Sequence, residues 1–177
     1  MQSSTSTIIA LFAAAILVFV VPLVTLTERN DNVVQENVKL IVEEFVTDIK
    51  NTGELTMDKY QNFQNRLSAT GNEYNIEIEI QHLDENPGKK LEQSNYTKIG
   101  ENVYYSEYTT QILDKLEKNN KIPPLKEGDF IYVGVTNQNS TTAQTLKSSF
   151  LSFSNDGEYV ISADSSGMVN ANGTTGD

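Results

Sequence analysis

The chain has 177 residues, no cysteine and a formal net charge of -11. Every Asp, Glu, Lys and Arg follows Thr27, so this charge belongs to roughly the last 150 residues, the size of one compact domain. The acidity argues against nucleic acid as a partner, because phosphates would be repelled. The lack of cysteine excludes a disulfide framework, a thiolate nucleophile and a cysteine-ligated metal.

An uncharged apolar run occupies residues 8–26. As a helix it would span ~28 Å, which is enough to cross the hydrocarbon core of a bilayer. The residues before it contain no Lys or Arg, and no small-x-small cleavage site follows it, as a secretory signal peptide would require. We therefore expect a retained anchor, with residues 1–7 as a short polar tail and residues 8–26 as a transmembrane helix.

Few charges bear on the orientation of this anchor. Arg29 and Lys39 follow the span, and the positive-inside rule taken alone would place the domain in the cytoplasm. Nearby acids outnumber these two cations, and long acidic domains translocate largely regardless of charge. We expect a single-pass protein of the cell membrane, with an extracytoplasmic domain at residues 27–165 and a polar, flexible tail at residues 166–177.

After the anchor the sequence has the period of an amphipathic helix, and Gly53 provides a left-handed stop. Its apolar positions, at steps of three and four, are Val34, Val38, Ile41, Phe45 and Ile49. We expect these side chains to pack on the domain's own sheet or on a partner subunit. Anchor and amphipathic helix would then form one rod over about residues 8–50, unless "TERNDN" is a flexible break between them.

A second helix is predicted to begin after Thr56, a suitable N-cap, and to end at Gly71. Its apolar stripe consists of Tyr60, Phe63 and Leu67. The segment "EYNIEIEIQHL" then alternates apolar and polar residues, as a half-buried strand requires. A short strand at residues 103–105 is predicted to lead into a helix that carries Ile112, Leu113 and Leu116.

The C-terminal third is predicted to complete the sheet. The segment "FIYVGVTN" is typical of a strand, and "TLKSSFLSFS" is interpreted as a third long strand. "NDG" is a hairpin signal that would join it to "EYVISAD". The predicted fold class is α+β: an N-terminal transmembrane helix continues into an amphipathic helix packed on an antiparallel sheet of about four strands.

No motif points to catalysis or to metal binding. His82 is the single histidine, and the lack of ligand or acid–base partners near it in sequence favours a structural role. Glu77 and Glu79 share a strand face. Adjacent acids on an acidic protein more often lie on a solvated face than form the pair of catalytic carboxylates that a glycosidase uses. "SNDGE" and "ANGTTGD" lack the acidic spacing of a calcium loop. We expect no enzyme, no cofactor, no metal and no small-molecule substrate.

The stretch "VEEFVTDIKNTGELTMDKYQNFQNRLSATGNEYNIEIEIQHLDENPG" resembles the pilin-like, single-pass proteins encoded with tight-adherence (Tad-type) pilus machinery in Gram-positive bacteria. Later stretches, "KEGDFIYV" and "SGMV", fit as well. The resembling positions are Phe45, Val46, Gly53, Leu55, Thr56, Tyr60, Phe63, Leu67, Thr70, Gly71 and residues 76–79. The resemblance implies a pilin-like fold and a minor pilin or pseudopilin, handled by an assembly ATPase and a platform protein.

Two functions from different classes remain open. The first is a membrane-resident, pilin-like accessory component of a Tad-type pilus or related secretion apparatus, with other subunits or copies of itself as partners. Type IV pilins that are processed into filaments carry a glutamate near the start of the span, whereas the first acid here, Glu28, lies beyond it. Set against that family pattern, the resemblance implies a membrane-resident component and not a processed filament subunit. The second is an anchored, monomeric, extracytoplasmic ligand-binding or sensor domain, which predicts a ligand cleft and no self-association.

Overall fold

The computed structural model describes residues 2–83, 104–150 and 160–171 of the chain. Over these residues four helices accompany four antiparallel strands, which confirms the predicted α+β fold class. In chain order the elements are α1 (Gln2–Thr52), α2 (Met57–Ser68), β1 (Tyr74–Leu83), β2 (Tyr104–Tyr108), α3 (Thr109–Asn119), β3 (Phe130–Asn137), α4 (Thr142–Phe150) and β4 (Ser162–Met168).

The helix α1 is uninterrupted through "TERNDN", so the structure has one rod and no flexible break. Weak helix formers are tolerated there because the helix is already nucleated on both sides and α4 packs on it. The rod ends where Gly53, at φ 67°, donates its N–H to the Ile49 carbonyl over 2.8 Å. Glycine adopts this left-handed conformation without steric cost.

The strands form one antiparallel sheet in the order β2-β1-β3-β4. β1 pairs with β2 and β3 on its two sides, and β3 pairs with β4. The period of two along β1 directs Ile78 and Ile80 to the core and Glu77 and Glu79 to the other face.

The core lies between the second half of α1, the inner face of the sheet, and the helices α2 and α3. The rings of Phe45 and Phe63 stack with centroids 4.1 Å apart, which joins α1 to α2. Thr56 is the N-cap of α2, as predicted, and its hydroxyl accepts from the Lys59 N–H. The predicted stripe of α2 is buried, as are Ile112 and Leu116 of α3.

The prediction of a third long strand at "TLKSSFLSFS" is wrong for the residues that the structure describes, because residues 142–150 form the helix α4. The helix α4 begins at a reciprocal N-terminal cap. The Gln144 N–H donates to the Thr141 hydroxyl, and the Gln144 side chain accepts from the Thr141 N–H at 2.7 Å. The helix packs on α1, and this contact favours helix over strand. The predicted "NDG" turn lies outside the described residues.

The boundary predicted at residue 165 also differs from the structure, because β4 runs to Met168 and Val169 is fully buried. The backbone accounts for this: the Val169 N–H donates to the Asp129 carbonyl over 2.8 Å, and Asn170 donates to Lys50 over 2.9 Å. Small polar side chains do not prevent a strand when its ladder is satisfied. The last six residues of the predicted tail lie outside the described part of the chain.

Candidate functional site

The first half of α1 carries a large exposed apolar surface. Ile9, Phe12 and Phe19 are 68%, 69% and 69% exposed, and similar residues lie on all sides of the helix. Among the described residues, α1 is the one helix long and apolar enough to cross a membrane. A helix that is apolar all round is stable only in a non-aqueous environment, and both a single span and a signal sequence have this property.

The folded domain begins within this apolar run. Val24 is buried, and so is Asp31 on the same side of α1. α4 lies along this part of α1, and the Lys147 ammonium is 2.6 Å from the Glu28 carboxylate. The domain is therefore docked against the helix directly at the end of residues 8–26, with no linker between them.

The five residues predicted for helix packing lie on one face of α1. Val38, Ile41, Phe45 and Ile49 are buried, and Val34 is partly buried against the same core. The domain's own sheet and α2 cover this face, so these side chains are not on the surface. The prediction overlooked Val46, which is also buried, because it lies at the edge of the stripe.

Two apolar residues in the second half of α1 are left uncovered. Val33 and Leu40 are 67% and 54% exposed, on the side of the helix opposite to Val38 and Ile49. The sequence analysis missed them because they fall outside the stripe that has the period of the core-facing side. Their spacing of seven residues, equal to two helical turns, is the signal that could have found them.

A polar cleft lies beside the end of β1, with a cavity of about 330 Å³. The His82 Nδ1 lies 3.1 Å from the Asp129 Oδ2, and the His82 ring stacks on Tyr105 with centroids 5.0 Å apart. A carboxylate only accepts hydrogen bonds, so Nδ1 is the donor. The opposite nitrogen, Nε2, lies 3.9 Å from the Glu107 Oε2, which is beyond hydrogen-bond distance.

The carboxylate of Asp129 fastens the end of β1 to the loop before β3. It is 3% exposed and accepts from the backbone N–H groups of Leu83 and Lys126, each over 3.0 Å, in addition to His82. Glu107 is paired with the Lys115 ammonium of α3. Sequence reasoning missed these partners of His82 because Asp129 is 47 positions away and joins it only through the sheet.

The two strand acids make ordinary contacts on the outer face of the sheet. Glu79 accepts from the Gln81 amide over 3.0 Å and from the Ser106 hydroxyl over 2.8 Å, and these hydrogen bonds hold the pKa of Glu79 below its usual value. Glu77 is exposed and accepts from Asn75 over 3.2 Å. Within the described ranges, no cluster of three or more potential metal ligands is found.

The geometry therefore combines an exposed apolar helix, a domain packed on the second half of that helix, and a polar cleft beside His82. A long N-terminal apolar helix packed on a four-stranded antiparallel sheet is a pilin-like architecture. Comparison of the chain with protein-family models, with curated proteins and with solved structures finds no match.

Proposed function

We propose that the protein is a membrane-anchored, pilin-like accessory component of a Tad-type pilus or a related secretion apparatus. Its domain would lie on the extracytoplasmic side, and its partners would be the membrane and other subunits of the apparatus. The continuity of α1 is the observation that supports this proposal. A domain that only needs tethering works on a flexible linker, whereas a subunit that assembles through its helix needs a domain in fixed orientation.

The proposed role involves no reaction of the protein's own. The charged groups of the cleft are engaged with one another or with the backbone, as the contacts of Asp129 and Glu107 illustrate. Such contacts suit a structural carboxylate–histidine pair that joins the end of β1 to the loop before β3. The apolar surface of α1 is then the part of the molecule that engages partners.

A monomeric, anchored binding or sensor domain is the second candidate, and the cleft at His82 is the observation that favours it. Its volume of about 330 Å³ lies at the lower end of the ~300–1,000 Å³ range of small-ligand sites. In this role the rigidity of α1 would be irrelevant, because a ligand site works equally well on a flexible tether.

Two insertions between Thr27 and Glu28 separate the candidates. Seven alanines extend the helix by about two turns, so the domain keeps nearly the same orientation about the helix axis. Seven Gly/Ser residues instead place a flexible linker between the apolar run and the domain. The accessory-subunit proposal expects co-purification with the assembly ATPase or platform protein to survive the alanine insertion and to be lost with Gly/Ser. Equal behaviour of both insertions, with ligand binding retained, would favour the sensor.

The intact mass of the unaltered chain from native membranes tests the anchor, and its accessibility to protease on intact cells tests its orientation. We expect a full-length chain whose domain is cleaved by protease added outside intact cells. A chain shortened at its N-terminus and released in sheared extracellular material would contradict the membrane-resident role and indicate a processed filament subunit.

A further inference from the structure

A heptad repeat runs along α1 from the apolar run into the second half of the helix. Its a and d positions, seven residues apart within each set, are called here the heptad face: Ile9, Phe12, Ile16, Phe19, Leu23, Leu26, Asn30, Val33, Asn37 and Leu40. All ten are exposed, the apolar ones to between 45% and 69%. Alternating steps of three and four residues are the signature of a coiled-coil seam between helices.

We propose that the heptad face is a homodimer seam, on which α1 of a second copy packs parallel and in register. The seam would run from the membrane span out to Leu40, with Asn30 and Asn37 facing their own counterparts. This proposal requires that α1 anchors the chain in a membrane, and it does not depend on the assignment to a pilus.

The charge pattern identifies the partner that packs on the heptad face as a second copy of the same chain. No charged residue occupies the heptad face, although Arg29, Asp31, Glu36 and Lys39 lie between its members. Two copies of a chain with a net charge of -11 repel each other elsewhere, so an uncharged stripe is where they can approach. An asparagine amide is both donor and acceptor, so it pairs with an identical amide across the seam.

The two asparagines also specify the register. A polar Asn at an a position is satisfied only opposite its counterpart, which selects one alignment and the two-stranded state at some cost in stability. A stagger of one heptad would pair Asn30 of one copy with Asn37 of the other, but it would place the remaining Asn30 against Leu23 and the remaining Asn37 against Glu44, so the aligned register satisfies more amides. Copies inserted with the same topology present their helices in parallel, as this pairing requires.

The described part of the fold leaves room for this arrangement. Val33 and Leu40 lie on the side of α1 opposite to the core residues Val38 and Ile49, so the two domains would flank the helix pair. The heptad face ends before Glu44, which is paired with Arg66 of α2. A seven-residue repeat drifts by ~20° per heptad on a straight helix, and a left-handed supercoil compensates for this drift.

The span is needed for the seam to form. The part outside residues 8–26 contributes only Asn30, Val33, Asn37 and Leu40, about two heptads, whereas a stable coiled coil needs at least ~3–4. The apolar run adds three further pairs of positions and confines both copies to one plane, which raises their effective concentration.

Cysteine cross-linking of the full-length chain in phosphatidylcholine vesicles tests the proposal. The chain has no native cysteine, so Val33→Cys and Leu40→Cys each introduce a single thiol. With an oxidant, Val33→Cys and Leu40→Cys should form disulfide dimers in most of the chains. Lys39→Cys, which is exposed but points about a quarter turn or more away from the seam, is the matched control and should remain monomeric.

The outcomes decide the proposal without reference to any apparatus. Equal cross-linking at positions 39 and 40 would indicate random collision and overturn it, as would its absence at both 33 and 40. Cross-linking of Leu40→Cys to another protein in native membranes, with none between copies, would assign the heptad face to a different partner. As a second measurement, Leu40→Glu should abolish the Val33→Cys dimer while hydrogen exchange in β1 and β3 remains unchanged, which separates loss of the seam from loss of the fold.

Discussion

The two halves of α1 carry similar apolar side chains in opposite situations. Phe12 and Phe19 in the first half are exposed, whereas Val38 and Phe45 in the second half are buried in the domain core. The difference lies in the pattern and not in the amount of apolar surface. The second half has one apolar stripe that a sheet can cover, whereas the first half is apolar all round and needs a surrounding apolar phase.

Reversing the character of one buried position should produce the largest effect. Val38→Asp places an unpaired charge in the core, and we expect a loss of about 4 kcal/mol or more in the free energy of unfolding. That is a large share of the ~5–15 kcal/mol that stabilises a typical domain. Hydrogen exchange of the β1 and β3 amides in detergent micelles measures the loss.

Leu40→Asp is the matched control for Val38→Asp, because it lies two residues away on the exposed side of the same helix. We expect it to change the free energy of unfolding of the domain by less than ~0.5 kcal/mol. Similar losses for both variants would mean that the domain does not distinguish the two faces of α1, and the comparison between covered and uncovered surface would be wrong.

The second half of α1 is covered by the sheet, and Asp129 joins the end of β1 to the loop before β3 near His82. Asp129→Asn keeps the size of the side chain but replaces one accepting oxygen by an N–H₂ group, which faces donors on Lys126 or His82. We expect a loss of ~1–3 kcal/mol in the free energy of unfolding. Urea unfolding followed by tyrosine fluorescence measures it, and Asp164→Asn, on the exposed side of β4, should leave the midpoint unchanged.

The helix α4 packs on α1 at the boundary between the two halves of α1. The N-terminal cap of α4 can be weakened without changing any other contact. Thr141→Ala removes the hydroxyl that accepts from Gln144, and we expect a loss of ~1 kcal/mol in the stability of α4. Hydrogen exchange should then rise in residues 142–149, while β1 keeps its protection. Ser140→Ala, at an exposed neighbour outside the cap, is the control and should show no such rise.

The smallest effect concerns the outer face of the sheet. Ser106→Ala removes one of two hydrogen bonds that favour the ionised form of Glu79, so the pKa of Glu79 should rise towards its usual value. Because the folded-state pKa is lowered, this group stabilises the fold above its unfolded-state pKa, and the contribution is lost as pH falls through the folded-state pKa. A carboxyl NMR titration measures the shift, and an unchanged pKa would contradict the role of Ser106.

Prediction from sequence succeeded where a local period was strong and failed where contacts between distant segments decide. β1 was predicted because Ile76, Ile78 and Ile80 alternate with acids. The α4 segment was predicted wrongly because its apolar residues also fit a strand, and docking on α1 decided in favour of helix. β4 has almost no apolar side chains, and its last residues belong to the sheet because β3 supplies partners for their backbone.

Local patterning by itself determined the apolar run, the amphipathic stripe of α1, the cap of α2 and the alternation of β1, because each is encoded within one or two turns or a few pleats. The tertiary structure alone decided that α1 is continuous, that Asp129 meets His82, and which apolar residues of α1 stay uncovered. Those features depend on segments far apart in the chain, and a period only shows which side chains share a face. Whether that face is covered is settled when the sheet and α2 pack on one side of α1 and leave Val33 and Leu40 on the other.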